Sequence, residues 1–426
     1  MWLNEALLPF DLWRSQIALG MDDLLDAKTK FDRYAPLLKR LFPELESSGG
    51  TIESPLRKID TFRREVGASA AQSGRWFIKA DHALPVVGSI KARGGFFEVL
   101  RFAEELATRN NLVEIGGGLG ALASAEARAL FREHDLVVGS TGNLGLSVGT
   151  IGSALGFATN VHMSADAKRW KKDRLRALGV EVIEHEGDYG QAVAAARTRS
   201  SETLKTYFVD DEDSRRLFLG YSVAAFHLRE QLRCESVDVD KEHPLFVYVP
   251  CGVGGAPGGI TFGLRHLFGD DVHCFFAEPT AAPSMLVRLA ADGSPPTSIG
   301  ALALDGRTEA DGLAVASVSE FVAKLMEAAV SGIFTVTDGM LMQDLHSLWV
   351  TEGLKVEPSA AASLRGPSLI SSSAIGRAYV ERNGLSPHMS NATHILWTTG
   401  GALVPHGEFQ DFLNVGASLT RSSRHG

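Results

Sequence analysis

The chain has 426 residues, 45% hydrophobic and 22% charged, with 51 acidic against 42 basic side chains and a formal net charge of −9. That length favours two domains, the composition excludes a disordered chain, and acidity spread along it argues against nucleic acid as a main partner. Three cysteines (Cys234, Cys251, Cys274) without a CxxC pair disfavour zinc or a disulfide framework, and no apolar run reaches the ~18 residues of a membrane span.

Met1-Trp-Leu-Asn-Glu shows no basic segment followed by an apolar run, so a soluble cytoplasmic protein with no membrane partner is expected. Residues 1–50 read as amphipathic helices, such as Leu24–Tyr34, forming a helical cap without chemistry of its own. Trp76–Ala80 is a predicted strand, and Phe96–Leu106 has helical spacing. Gly116-Gly-Gly-Leu-Gly-Ala121, after Leu112–Ile115, half-matches a dinucleotide fingerprint. No acidic residue ends a second strand about 20 residues on, so a helix-entry loop is expected instead.

From Leu136 the pattern alternates regularly. Strands are predicted at Leu136–Val138, Asn160–Met163, Val180–Glu184 and Tyr207–Val209, with helices at Leu144–Leu155, Ala167–Leu178 and Tyr189–Arg199 between them. Strands separated by helices of 10–15 residues imply a parallel sheet. The basic run Lys168, Arg169, Lys171, Lys172, Arg174 and Arg176 reads as a solvated helix face. A second series follows: helix Leu219–Leu232, strand Leu245–Val249, helix Ile260–Phe268, strand Val272–Phe276, helix Ser284–Ala290 and a loop at Asp292–Gly300. Helices Met340–Trp349 and Ile375–Arg382 and the strand His394–Trp397 complete it. The expectation is an α/β protein of two domains, with ligands bound in the cleft outside the strand ends.

Lys91 stands in Gly88-Ser-Ile-Lys-Ala-Arg-Gly-Gly95, entering an apolar helix. Burial disfavours an ammonium, and a neutral amine is what Schiff-base chemistry needs; the alternative is a packed stem with its head in water. Cys251-Gly-Val-Gly-Gly-Ala-Pro-Gly-Gly259 follows a strand and opens a helix, the grammar of a phosphate cradle. It lacks the Gly-Lys-Ser/Thr ending of a nucleotide loop, so a singly phosphorylated small molecule fits better than ATP; close strand–helix packing is the alternative. Gly139-Ser-Thr-Gly-Asn-Leu-Gly145 adds hydroxyl and amide groups, suited to a carboxylate or to simple capping. Asp210 and Asp211 end a strand, as a proton-handling pair or as a turn.

Lys91, these two loops, Thr398-Thr-Gly-Gly401, Val161–Asp166, Ala277-Glu-Pro-Thr280 and Ala310–Val315 together resemble the fold-type II pyridoxal-phosphate enzymes. Within them the chain is similar to the bacterial D-serine dehydratase (D-serine ammonia-lyase) family, from about Thr51 to the C-terminus. The resemblance implies a tryptophan synthase β-like fold, two open twisted α/β domains with pyridoxal phosphate in the cleft. It implies a large domain from 51–105 and 220–426, with 106–219 as the small one. Lys91 would carry the cofactor, and Gly252, Val253, Gly254 and Gly255 would hold its phosphate. Asn143 would contact its 3′-oxygen and Thr399 its pyridine nitrogen. Ser140, Thr141 and Gly142 would grip the substrate carboxylate. Asp210 is taken as a catalytic acid. Glu278 with Ser284 is the expected site of a monovalent cation, commonly potassium; the alternative for Glu278 is a helix N-terminal charge.

The activity implied is dehydration of D-serine to pyruvate and ammonia. Alternatives are elimination from L-serine, L-threonine, 3-hydroxyaspartate or diaminopropionate, or a sensor that binds without turnover. The partner expected is a small amino acid, and the resemblance leans toward a monomer.

Overall fold

The computed structural model describes residues 1–68, 74–140, 142–186, 189–200, 205–291 and 299–423. In chain order its strands are β1 (Trp2–Leu3), β2 (Leu56–Lys58), β3 (Arg75–Lys79), β4 (Asp135–Gly139), β5 (Ala158–Ser164) and β6 (Glu181–His185). They continue with β7 (Thr206–Val209), β8 (Leu245–Pro250), β9 (Val272–Pro279), β10 (Gly332–Val336) and β11 (Thr393–Trp397).

These strands form two sheets. The larger has the order β1-β10-β9-β8-β11-β3-β2, and its inner strands run parallel. β8 and β9 are buried along their whole length, because a parallel strand covered on both faces needs apolar side chains on each. Both edges close on very short antiparallel strands, β1 and β2, which limits the unpaired edge presented to other chains. The smaller sheet is wholly parallel, in the order β6-β5-β4-β7.

Contacts divide the chain into two units, at points other than those expected. The first comprises Met1–Gly20, Ser54–Ala83 and Ala224–Gly426; the second comprises Met21–Glu53 and Leu84–Val223. Lys91 therefore belongs with the four-stranded sheet. Its helix, Lys91–Arg109, packs on helices Asn143–Leu155 and Arg215–Ser222, burying Phe96, Phe97, Val99 and Leu100. The N-terminal residues are not one cap either: 1–20 join the first unit and 21–53 the second.

Most predicted elements are present. The expected helix Leu219–Leu232 is in fact two, Arg215–Ser222 and Ala224–Cys234, broken at Val223 where the units divide. Leu112–Ile115 is not a strand. Ile115 is 93% exposed, and the glycines after it lead into a short 3-10 turn. The basic run is not uniformly solvated: Lys172 is buried, its amine donating to the Ala165 carbonyl at 2.6 Å and to Glu184 at 2.7 Å, and Lys171 is 1% exposed. Most of the loop expected at Asp292–Gly300 lies outside the described residues. No helix among the described residues is long and apolar enough to cross a membrane.

Candidate functional site

In the second unit Lys91 is the first residue of helix Lys91–Arg109, and no side chain caps that end. The Ser147 hydroxyl donates to the Lys91 carbonyl at 2.7 Å, fixing the backbone beneath the amine to the neighbouring helix. The amine lies 3.5 Å from Asp211 Oδ2 and 5.6 Å from the centre of the Tyr221 ring. Lys91 is 22% exposed by side chain and Asp211 9%. Burial by itself would lower the Lys91 pKa, but the Asp211 carboxylate outweighs it and holds the amine protonated. The neutral lysine expected from burial is thus corrected: the fold supplies a counter-ion and a proton acceptor together.

Asp211 Oδ1 is buried with no hydrogen-bond partner among the described residues, and so is the Tyr221 hydroxyl. Asp210, the acid singled out in the sequence, turns elsewhere. It pairs with Arg197 at 2.9 Å and accepts from the Glu212 N–H at 3.0 Å, which is the turn alternative. The carboxylate at Lys91 is Asp211.

The loop after β4 belongs to the same unit. The Ser140 oxygen accepts N–H bonds from Gly142 and Gly145, both at 2.9 Å, so this residue does cap its turn, keeping its own hydroxyl hydrogen to donate. Gly142 has φ +148°, and a Cβ there would sit 2.3 Å from Lys171 Cδ; backbone and neighbour both demand glycine. Asn143 opens helix Asn143–Leu155. Thr141 lies outside the described residues.

In the first unit the chain leaves β8 at Cys251 and enters helix Gly255–Phe268. Gly252, Val253, Gly254 and Gly255 are all buried. Their backbone N–H groups, and that of Ala256, donate to nothing among the described residues. Buried donors without partners are rare and costly, so a cluster of them marks a place for an acceptor. The loop is held from outside: the Ser319 N–H donates to the Val253 carbonyl at 2.8 Å, and Gly252 lies against Gly312. Gly254 has φ +112°, and a Cβ would meet Met285 Cε at 2.6 Å.

Thr399, 9% exposed, follows β11 in the same unit. Its neighbour Thr398 is locked: His82 Nδ1 lies 2.7 Å from the Thr398 hydroxyl, and that hydroxyl donates to the Lys79 carbonyl at 3.1 Å. Burial keeps His82 neutral by pushing its pKa down to about 4. Beside it, Asp81 accepts from the Ser54 hydroxyl at 2.6 Å and the Trp397 indole at 2.8 Å.

Glu278 is 1% exposed, and its oxygens accept from the Met285 and Leu286 N–H groups at 2.8 and 2.9 Å. Burial pushes its pKa up to about 8, against the pull of those two bonds. The Ser284 hydroxyl donates to the Val315 carbonyl at 2.5 Å. No cluster of three or more His, Cys, Asp or Glu side chains suited to a metal occurs among the described residues.

Residues 48–379 match the model of the pyridoxal-phosphate dependent enzyme family, and the chain belongs to that family. It is 51% identical over 415 residues to a probable D-serine dehydratase of Burkholderia lata, covering 97% of this chain and 91% of that one. To a protein of the same name from Sinorhizobium medicae it is 48% identical over 422 residues, 99% and 95% of the two chains. Solved structures of the same fold include holo diaminopropionate ammonia lyase from Escherichia coli, with TM-score 0.73 and 15% identity over 96% of this chain and 95% of that one. The same lyase in complex with D-serine gives 0.71 and 14% over the same shares. The fold is that of fold-type II pyridoxal-phosphate enzymes.

The residues present fit the cofactor. A phosphate needs several N–H donors at a helix N-terminus, and Gly252–Ala256 present five without partners among the described residues. An aldehyde needs an amine beside a proton acceptor, and Lys91 with Asp211 provides both. Tyr221 is the residue that sequence reasoning missed, and Asp211 was weighed only as half of a pair with Asp210, the one taken as the acid. A carboxylate at the C-terminal end of β7 was the visible signal for Asp211.

Proposed function

We propose that the chain converts D-serine to pyruvate and ammonia, with pyridoxal phosphate as its cofactor. The observation that carries the reaction class is the Lys91 amine 3.5 Å from Asp211 at a helix start. The choice of D-serine follows relatives of that name that match nearly the whole chain.

Bound pyridoxal phosphate supplies a conjugated ring into which the charge left on Cα spreads. Gly252, Val253, Gly254 and Gly255 would hold its phosphate through their N–H groups, and Asn143 would bind its 3′-oxygen. The Thr399 hydroxyl would face the pyridine nitrogen, where a hydroxyl cannot fix a proton as a carboxylate would. Ser140, with its remaining hydroxyl hydrogen, Thr141 and Gly142 bind the substrate carboxylate. Asp211 would hold the proton that Lys91 Nζ gives up when its lone pair is needed, and with substrate bound the pair would keep that proton within reach of the β-hydroxyl. The hydroxyl would leave with it as water, a proton equivalent to the one lost from Cα would recharge the pair, and one water taken up as the nitrogen is hydrolysed off would balance the one lost.

The cation belongs to the same proposal. Glu278 is a buried carboxylate whose ordinary ionisation is opposed by its surroundings, and a potassium ion beside it and Ser284 would relieve that opposition. Cytoplasmic residence fits a chain with three cysteines and no CxxC pair.

The test is pyruvate release from D-serine and L-serine, with Lys91→Ala alongside. Pyruvate from D-serine with wild type, and none with Lys91→Ala, is the expected result. Pyruvate from L-serine or 2,3-diaminopropionate instead would replace the substrate and keep the reaction. Cofactor binding without keto acid from any amino acid would make the protein a sensor and end the proposal.

A further inference from the structure

Two turns along from Lys91, on the same helix, Glu98 is 2% exposed. Its two oxygens accept from two hydroxyls, Tyr207 on Oε1 and Ser214 on Oε2. Those donors flank one short turn. Tyr207 lies on β7, Ser214 caps helix Arg215–Ser222 by accepting from the Leu217 N–H at 3.0 Å, and Asp211 sits between them. Tyr207 is fixed further by its ring, stacked on Phe102 at 4.0 Å, and by Arg216 Nη1, which donates to its hydroxyl at 3.2 Å. Arg216 reaches Glu105 on the same helix at 2.9 Å.

We infer that Glu98 is a positioning residue that holds the Asp211 turn from both sides and so sets the distance between Asp211 and Lys91. This rests on the Lys91–Asp211 pair acting as proposed above. A buried carboxylate is costly to keep merely to join a helix to a loop, since apolar packing serves as well. An acceptor-only group with two oxygens is, however, what two converging hydroxyl donors require. Glu98→Gln keeps the volume but offers one acceptor and one donor, so one hydroxyl loses its partner and the turn gains play.

The readout is the state of the Lys91 amine, measured on cofactor-free protein. Pyridoxal phosphate is added at a series of pH values, trapped with borohydride, and its incorporation at Lys91 is counted by mass spectrometry. The groups facing Lys91 are Asp211 and Tyr221, and those facing Glu98 are Tyr207, Ser214 and Arg216. Removing the Asp211 charge by Asp211→Asn should lower the labelling midpoint by about one to three pH units. Glu98→Gln should move it the same way by a smaller amount and add nothing in the Asp211→Asn background, because residues acting through one another are not additive. Tyr207→Phe, which removes one of the two donors and leaves Glu98 a carboxylate, should repeat the smaller shift if Glu98→Gln does not fold. An unmoved midpoint in both Glu98→Gln and Tyr207→Phe, or a shift that adds in full to that of Asp211→Asn, would overturn the inference. If Asp211→Asn itself moves nothing, the pair and not the clamp is at fault.

Discussion

The ring of Tyr221 lies across Gly94, one helical turn after Lys91, so closely that a Cβ on Gly94 would stand 2.4 Å from the ring's Cζ. Alanine there gains helix propensity but drives the phenol off the helix. Gly94→Ala should therefore destabilise the protein by ~1–3 kcal/mol, the usual range for overpacking. Gly339, in helix Asp338–Glu352, offers the contrast: its Cβ would meet nothing nearer than 3.8 Å. Gly339→Ala should stabilise by about 0.5–1 kcal/mol. Urea melts of both variants read the two signs.

Gly254→Ala should spare the sheet and spoil the anion loop, since its left-handed backbone and the Met285 methyl both exclude a side chain. Pyridoxal phosphate titrated into cofactor-free protein should bind at least ~10-fold more weakly, about 1.4 kcal/mol. Unchanged affinity would remove this loop from the cofactor's site.

Acid should unfold the protein from the imidazoles. His82 and His273 have pKa values pushed down to about 4, and His394 to about 3, all by burial. A histidine depressed in the fold binds its proton more readily when unfolded, so stability falls as pH drops from about 6.5 toward these values. His394 stacks against Phe246 and Tyr248, with the Tyr248 hydroxyl 2.8 Å from its Nδ1. His394→Gln should shallow this acid limb in melts taken between pH 4 and 7.

Glu278 has the opposite sign. A carboxyl raised to about 8 holds its proton better in the fold, so its contribution fades as pH climbs from its ordinary range near 4.5 through about 8. The melting temperature of Glu278→Gln should decline less than that of wild type between pH 5 and 8.5 in buffers without alkali metal. If potassium sits there, adding potassium chloride should close the gap between the two curves, where choline chloride does not.

The series from β4 to β7 was readable because each strand and helix keeps its own hydrophobic period. β8, β9 and β11 were equally plain, as unbroken apolar runs. What escaped was set by tertiary partners. β1 is two residues long and exists through pairing with β10, whereas β10 itself, Gly332-Ile-Phe-Thr-Val336, carries the β-branched and aromatic signal of a strand and was passed over. The helix His406–Ser423 passed unnoticed among small and polar residues, although Phe409, Phe412 and Leu413 are buried. Among site residues the glycine loops carry their geometry in their composition. Asp211 could not be told from Asp210, since which of two adjacent carboxylates faces Lys91 depends on where the turn begins.

The order of the chain bears on how this protein is born. Every residue of the second unit has been synthesised by Val223, whereas the first unit's sheet has β11 between β8 and β3 and lacks that strand until residue 397. The opening residues wait almost as long: Asn4 bonds the carbonyls of Glu327 and Val330, and the Trp13 indole that of Leu325. During synthesis, therefore, an early module can close while its elder neighbours in sequence, Met1–Gly20 and Ser54–Ala83, stay open. Nascent chains stalled near residue 260 should already protect 84–223 from protease and leave 1–20 cleavable; the reverse pattern would rule out this order.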